Sequence, residues 1–302
     1  MPDDVTPAAA PSVLAGKPRL KTASILLLAG MAVVLVVLMV RVLPPGIDWH
    51  NTYRPTALRL LQGQSPYAIQ PLNPDGSEPD RFYNAPWVLL PMLPLALLPE
   101  AVGRALWALI SMATFGWTAH RMGGKPAAVA LVLLSPLVLH CVLNGSVDGV
   151  VVLGLALPPQ IGLIFLAIKP QVGSVVALFW LVEAWRLGGW RELLRVAAPV
   201  SVLMLISFAL FGVWPLGSLR LARAALNASL WPVSIPVGLA LAVAAFRTRR
   251  VEYACAASPC LSPYLLFYSW IGVLLAVERS LPETAAAVAG LWILTGLRAL
   301  GM

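Results

Sequence analysis

Long apolar stretches separated by short polar turns run from Ala23 almost to the last residue, and they leave few folds open. A bilayer-spanning helix needs about 20 mostly apolar residues. By that measure, candidate spans fall at 23–43, 84–99, 102–120, 126–143, 147–168, 171–186, 196–213, 233–247, 252–264, 265–278 and 284–300. Only 11% of the residues are charged and 59% are hydrophobic, against roughly 25% charged in a soluble domain. So much apolar surface cannot be hidden from water in one soluble core. The expectation is an all-α polytopic membrane protein of about ten or eleven spans. Several candidates carry prolines (Pro91, Pro94, Pro136, Pro158, Pro159). Broken helices are expected there, since neighbouring helices or a cavity can satisfy the freed backbone groups.

The net charge of +8 is gathered beside apolar segments, at Lys17, Arg19 and Lys21, at Arg186, Arg191 and Arg195, and at Arg247, Arg249 and Arg250. Lys and Arg in such positions mark the cytoplasmic side, so the clusters point to topology and away from nucleic acid. The expected arrangement is a cell-membrane, multi-pass chain. Residues 1–20 form a disordered cytoplasmic tail and 21–302 a single integral-membrane domain. The run from Ala23 to Val40 is too long for a signal peptide's apolar region, so it reads as the first span. Residues 44–83 then form a first external loop. Strict alternation of crossings puts Arg121 and Lys125 outside, against the charge rule, and Asp148 near the cytoplasmic face. The tryptophans gather near predicted boundaries, as an aromatic belt would. Cys141, Cys255 and Cys260 read as small buried hydrophobes with no metal-ligand spacing. No metal or other cofactor is expected. No internal repeat of the transporter kind is visible.

Two stretches do not fit plain crossings. Residues 214–232, WPLGSLRLARAALNASLWP, place Leu219, Leu226 and Leu230 at helical spacing, Arg220 and Arg223 on another face, and tryptophans at both ends. That pattern suits an interfacial helix. The other is the external loop. Pro44, Pro45 and Gly46 stop the first span just before Asp48, and TYRPTALRLL forms a short amphipathic helix ended by Gly63 and Ser65-Pro66-Tyr67. A carboxylate at the bilayer surface beside a surface-lying helix suits a reaction on a lipid-linked substrate, taking a proton from an attacking hydroxyl. The plainer reading has Asp48 cap the next helix or pair with Arg54. His50 and Asp148 are accessory candidates, with Arg220 and Arg223. An acid inside an apolar segment is functional by default.

The pattern Asp48, Tyr53, Ala57, Leu61, Gly63, Ser65-Pro66-Tyr67, followed by Phe82-Tyr83-Asn84-Ala85-Pro86, resembles glycosyltransferase family 87, which has the GT-C membrane fold. Weaker matches continue at Pro136, Asn144-Gly145, Ile168-Lys169-Pro170-Gln171, Trp190-Arg191 and Ser262-Pro263-Tyr264, so that the likeness spans roughly residues 20–280. It implies transfer of a mannose-like hexose or a pentose from a polyprenyl-phosphate donor to a lipid- or glycan-linked acceptor hydroxyl. Transfer would occur on the outer or periplasmic face with inversion, without metal or nucleotide. Asp48 matches the family's proposed general base. Substrate contacts would fall to Tyr53, Arg54, Tyr67, Tyr83, Asn144, Lys169 and Tyr264, with Lys169 toward the donor phosphate. The chain departs from the pattern at Gly145-Ser146-Val147-Asp148, where the family commonly has Gly-Gln-x-Asn. It departs again at Ser269, where an aspartate often stands. A lipid or solute transporter, and a non-catalytic subunit of the same fold, remain open beside the enzyme.

Overall fold

The computed structural model describes residues 30–31, 33–72, 79–219 and 226–301, and every regular element among them is helical. The N-terminal tail, most of the first predicted span, and Arg220 and Arg223 lie outside the described residues. Contacts divide the chain into two units, 1–42 and 43–302. In the first, helix α1 (Val33–Val42) exposes Val33, Val37 and Leu38.

In the second unit, a π-helical turn (Asp48–Tyr53) runs into α2 (Arg54–Leu61), the amphipathic helix expected there. The predicted span 84–99 is a 3-10 segment (Pro86–Met92) followed by α3 (Leu93–Ala96), broken where Pro91 and Pro94 withhold backbone donors. It does not traverse the unit. It starts beside Tyr53, whose hydroxyl bonds Asn84, and ends with the Leu95 carbonyl against Gly103, itself packed on Trp49.

Helix α4 (Glu100–Arg121) starts near the π-turn, where Glu100 pairs with His50. Its 22 residues carry the chain about 33 Å away. Helices α5 (Pro126–Leu133) and α6 (Pro136–Asn144) bring it back, bent by 51° at Ser135, whose hydroxyl caps α6. Gly145, with φ +76°, ends α6 in a left-handed turn; a side chain there would collide with Trp49.

The predicted span 147–168 is a hairpin. Helix α7 (Asp148–Leu153) and a 3-10 turn (Gly154–Ala156) lead inward, and Pro158 reverses the chain. Helix α8 (Pro159–Leu166) then returns, so that Lys169 meets Asp148. Six and eight residues reach only about 9 and 12 Å, far less than a bilayer core.

Helix α9 (Pro170–Phe211) folds back on itself at Gly188 and Gly189. Gly189 has φ +59° and ψ −144°, and Ala177, Leu181 and Ala184 of the first leg pack near Val196 and Val200 of the second. Then follow α10 (Trp214–Leu219), α11 (Ile235–Thr248), α12 (Val251–Cys260), a 3-10 turn (Phe267–Trp270), α13 (Ile271–Val277) and α14 (Leu281–Ala299). The interfacial helix expected over 214–232 is helical at α10. It is not helical over 227–230, where Ala228 bonds Leu265 and Ser229 bonds Ser262 instead.

The turns of this unit sort into two ends. At one, Arg186 holds Glu183 and the Phe246 carbonyl, Arg249 lies 3.8 Å from Glu183, and Arg279 bonds both Glu252 and the Met122 carbonyl. Arg121 and Lys125 flank that last contact, so they share the end of the other basic clusters. At the opposite end lie the π-turn, the start of α7 with the end of α8, and the 3-10 turn before α13. Asp148 therefore belongs with Asp48: the segment 84–99, which precedes it, starts and finishes at the same end, so counting it as a crossing had placed Asp148 at the other.

By length and composition, α9 is long and apolar enough to cross a membrane, and α5 with α6 passes jointly as a bent pair.

Candidate functional site

Asp48 is the first residue of the π-turn, a distortion frequent at functional sites. Its Oδ2 accepts a 2.8 Å hydrogen bond from the hydroxyl of Tyr268, 220 positions along the chain. The side chain is half-buried. Loss of hydration lifts its carboxyl above the ordinary 3.8, against the opposing pull of the Tyr268 hydroxyl and the Lys169 charge.

Asp148 is fully buried at the start of α7, where the helix end favours negative charge. Lys169 Nζ donates to its Oδ2 at 2.7 Å, Ser146 to the same oxygen at 3.1 Å, and Ser269 to Oδ1 at 2.6 Å. A buried ion pair repays desolvation only when the remaining lone pairs are satisfied; here three donors converge on one carboxylate. Lys169 Nζ also stands 4.6 Å from the centre of the Tyr268 ring. Two acids and one amine thus share a small volume, joined by Tyr268.

Around this centre, Asn84 ties the loop together. It accepts from Tyr53 on its side chain and from Tyr67 on its carbonyl, and donates to the Ile168 carbonyl. Burial and the nearby carboxylates push the Tyr53 phenol well above its ordinary value, and burial raises that of Tyr67. Both stay protonated donors. The Tyr67 ring stacks on Trp214 at 5.4 Å.

The other predicted site residues take different places. His50 pairs with Glu100, and Arg54 lies 3.7 Å from the same carboxylate. Asn144 bonds His140 one turn below. Tyr83 is half-buried between Phe82 and Asn84, and Tyr264 is half-buried in the loop after α12, its carbonyl bonded by Ser262. Trp49 and Trp87, read as belt residues, are core; the Trp87 indole donates to the Ile164 carbonyl.

Tyr268, Ser146, His140 and Arg104 were not legible as site residues. Arg104 is buried and binds the carbonyls of Pro45, Val142 and Leu143, fastening the approach to Asp48 onto the end of α6. An arginine inside a predicted span was the signal available for it.

His140 joins the centre to an apolar groove. Its ring lies 5.6 Å from that of Tyr268 and 5.9 Å from that of Phe267. Phe267 lines a cavity of about 280 Å³ with Leu137, Trp270, Leu274, Leu291 and Arg298, the guanidinium of Arg298 standing 5.8 Å from the Phe267 ring. Among the described residues, no three His, Cys, Asp or Glu side chains converge as metal ligands. No family model, curated protein or solved structure matches the chain.

Proposed function

We propose that the chain is an integral-membrane GT-C-type glycosyltransferase that moves a sugar from a polyprenyl-phosphate donor to an acceptor hydroxyl at the outer face. The observation that carries this reading is the hydrogen-bonded Asp48 carboxyl beside Lys169, one histidine ring away from an apolar groove. A carboxyl whose proton affinity is raised toward the working pH suits a general base. A groove walled by leucine and phenylalanine, with an arginine in its lining, suits an isoprenoid phosphate. Gathering Arg121, Lys125, Arg186, Arg249 and Arg279 at the end opposite Asp48 also agrees with basic residues facing the cytoplasm. The polytopic arrangement is part of this proposal, with crossings at α4, α5–α6, the two legs of α9 and the helices from α11 onward.

In the reaction, the acceptor oxygen attacks the anomeric carbon while its proton passes to Asp48. The bond from that carbon to the phosphate oxygen breaks, the electron pair leaves with the phosphate, and the configuration inverts. Asp48→Asn retains the Tyr268 contact and should lower transfer from a purified polyprenyl-phosphate sugar by about 10²–10⁴. Unchanged turnover in that variant would remove Asp48 from the role.

A transporter is the second reading, favoured by the two non-crossing segments 84–99 and 147–168, since broken helices line transporter sites. Sugar-dependent uptake into reconstituted vesicles without a glycosidic product would decide for it.

A further inference from the structure

The geometry points to Tyr268 as the residue that positions Asp48 and couples its proton to the buried Lys169–Asp148 pair. This rests on the general-base role proposed above. Tyr268 and Ser269 are consecutive on one 3-10 turn, where successive side chains diverge by about 120°. One donates to Asp48 at 2.8 Å and the next to Asp148 at 2.6 Å. A single turn therefore grips both carboxylates, and the Tyr268 ring carries the Lys169 amine on its face. Both side chains are buried, Tyr268 at 4% exposure and Ser269 at 0%, so the clamp has little freedom to swing away.

Binding one Asp48 oxygen fixes the carboxyl plane and leaves the other oxygen for the acceptor hydroxyl. The same bond stabilises the ionised form, and so opposes the burial that favours the protonated one. The groups acting on Asp48 are Tyr53 of its own turn, Arg104 of α4, His140 and Cys141 of α6, Ser146 and Asp148 at the start of α7, Lys169 before α9, and Tyr268. Of these, Tyr268 donates a hydrogen bond to Asp48, whereas the Ser146 hydroxyl is given to Asp148; the others act through charge or packing.

The test replaces the hydroxyl alone. In Tyr268→Phe, kcat with the polyprenyl-phosphate sugar should fall about tenfold, and the acidic limb of the pH–rate profile should move up by about one pH unit, from the loss of one charge-assisted hydrogen bond. Substituting fluorotyrosine, a stronger donor, should move the limb down. Opposite displacements by two isosteric rings are not the result of a packing role. An unmoved limb in both variants overturns the assignment. If wild-type protein forms no product at any pH, the parent reading fails, and the clamp is then judged without turnover. The carboxyl infrared band lost in Asp48→Asn should titrate at higher pH in Tyr268→Phe; an unchanged midpoint overturns the proposal.

Discussion

Asp48 carries a cost that a stability measurement can read. Its pKa in the folded chain lies above the ordinary 3.8 because burial outweighs its partners. Below that ordinary value the carboxyl is protonated whether the chain is folded or not, and folding is indifferent to it. As pH rises, the unfolded chain releases its proton first, so stability falls until the native carboxyl ionises too, and the deficit then persists. Asparagine has the same shape, accepts the Tyr268 hydroxyl and never ionises. Asp48→Asn should therefore raise the unfolding midpoint in detergent at pH 7 above that of the native chain. The gain should shrink as pH falls and vanish below the ordinary 3.8. A lowered midpoint at pH 7 would mean that Asp48 is held mainly by its attraction to Lys169. The sequence showed Asp48 because proline and glycine stop a helix just before it. It hid Tyr268, because one tyrosine among eleven apolar or aromatic neighbours carries no local mark of a contact 220 residues away. Ser146 and Ser269 were visible only as departures from the family pattern, yet both donate to Asp148. Both serines are thus partners of one buried acid.

At the level of elements, hydropathy located the apolar segments and missed their reversals. The stretch 147–168 has the length and composition of one crossing, and only Pro158-Pro159 marks the turn between α7 and α8. Proline shows that a helix is interrupted but not whether the chain continues or returns. That choice is made by tertiary contacts, here the close approach of Gly154 to the Gly162 carbonyl and the Asp148–Lys169 pair that closes the hairpin. At the bend of α9 the sequence was more explicit, because Leu187-Gly188-Gly189-Trp190 sits between two apolar runs predicted as separate spans. The Gly189 backbone lies in a region that only glycine enters without strain. Gly189→Ala should destabilise the chain by about 1–3 kcal/mol, lowering the midpoint while leaving the helical circular dichroism of the folded protein unchanged. A wild-type midpoint would show that the legs of α9 do not need this turn.

For the whole molecule, the distribution of charge between the two ends of the 43–302 unit becomes consistent once the non-crossing segments are recognised. Alternating every predicted span left Arg121 and Lys125 on the wrong side. With 84–99 and 147–168 both starting and finishing near Asp48, those residues join Arg186, Arg249 and Arg279. Arg121 and Lys125 then stand with the basic residues around Arg186 and Arg249, as the positive-inside rule would have them if those residues face the cytoplasm. The proposed enzyme requires Asp48 to reach the outer side, so topology is the point at which that proposal stands or falls. The native cysteines are buried, which permits labelling at new positions. Gln64 is exposed at the Asp48 end and Lys125 at the basic end. In intact cells, a membrane-impermeant maleimide should modify Gln64→Cys and spare Lys125→Cys, and the second should react after permeabilisation. Equal reaction of both in intact cells would mean that the two ends do not face opposite compartments. With no barrier between them, the charge separation would have no bearing on topology, and a carboxyl at the outer leaflet would lose its support.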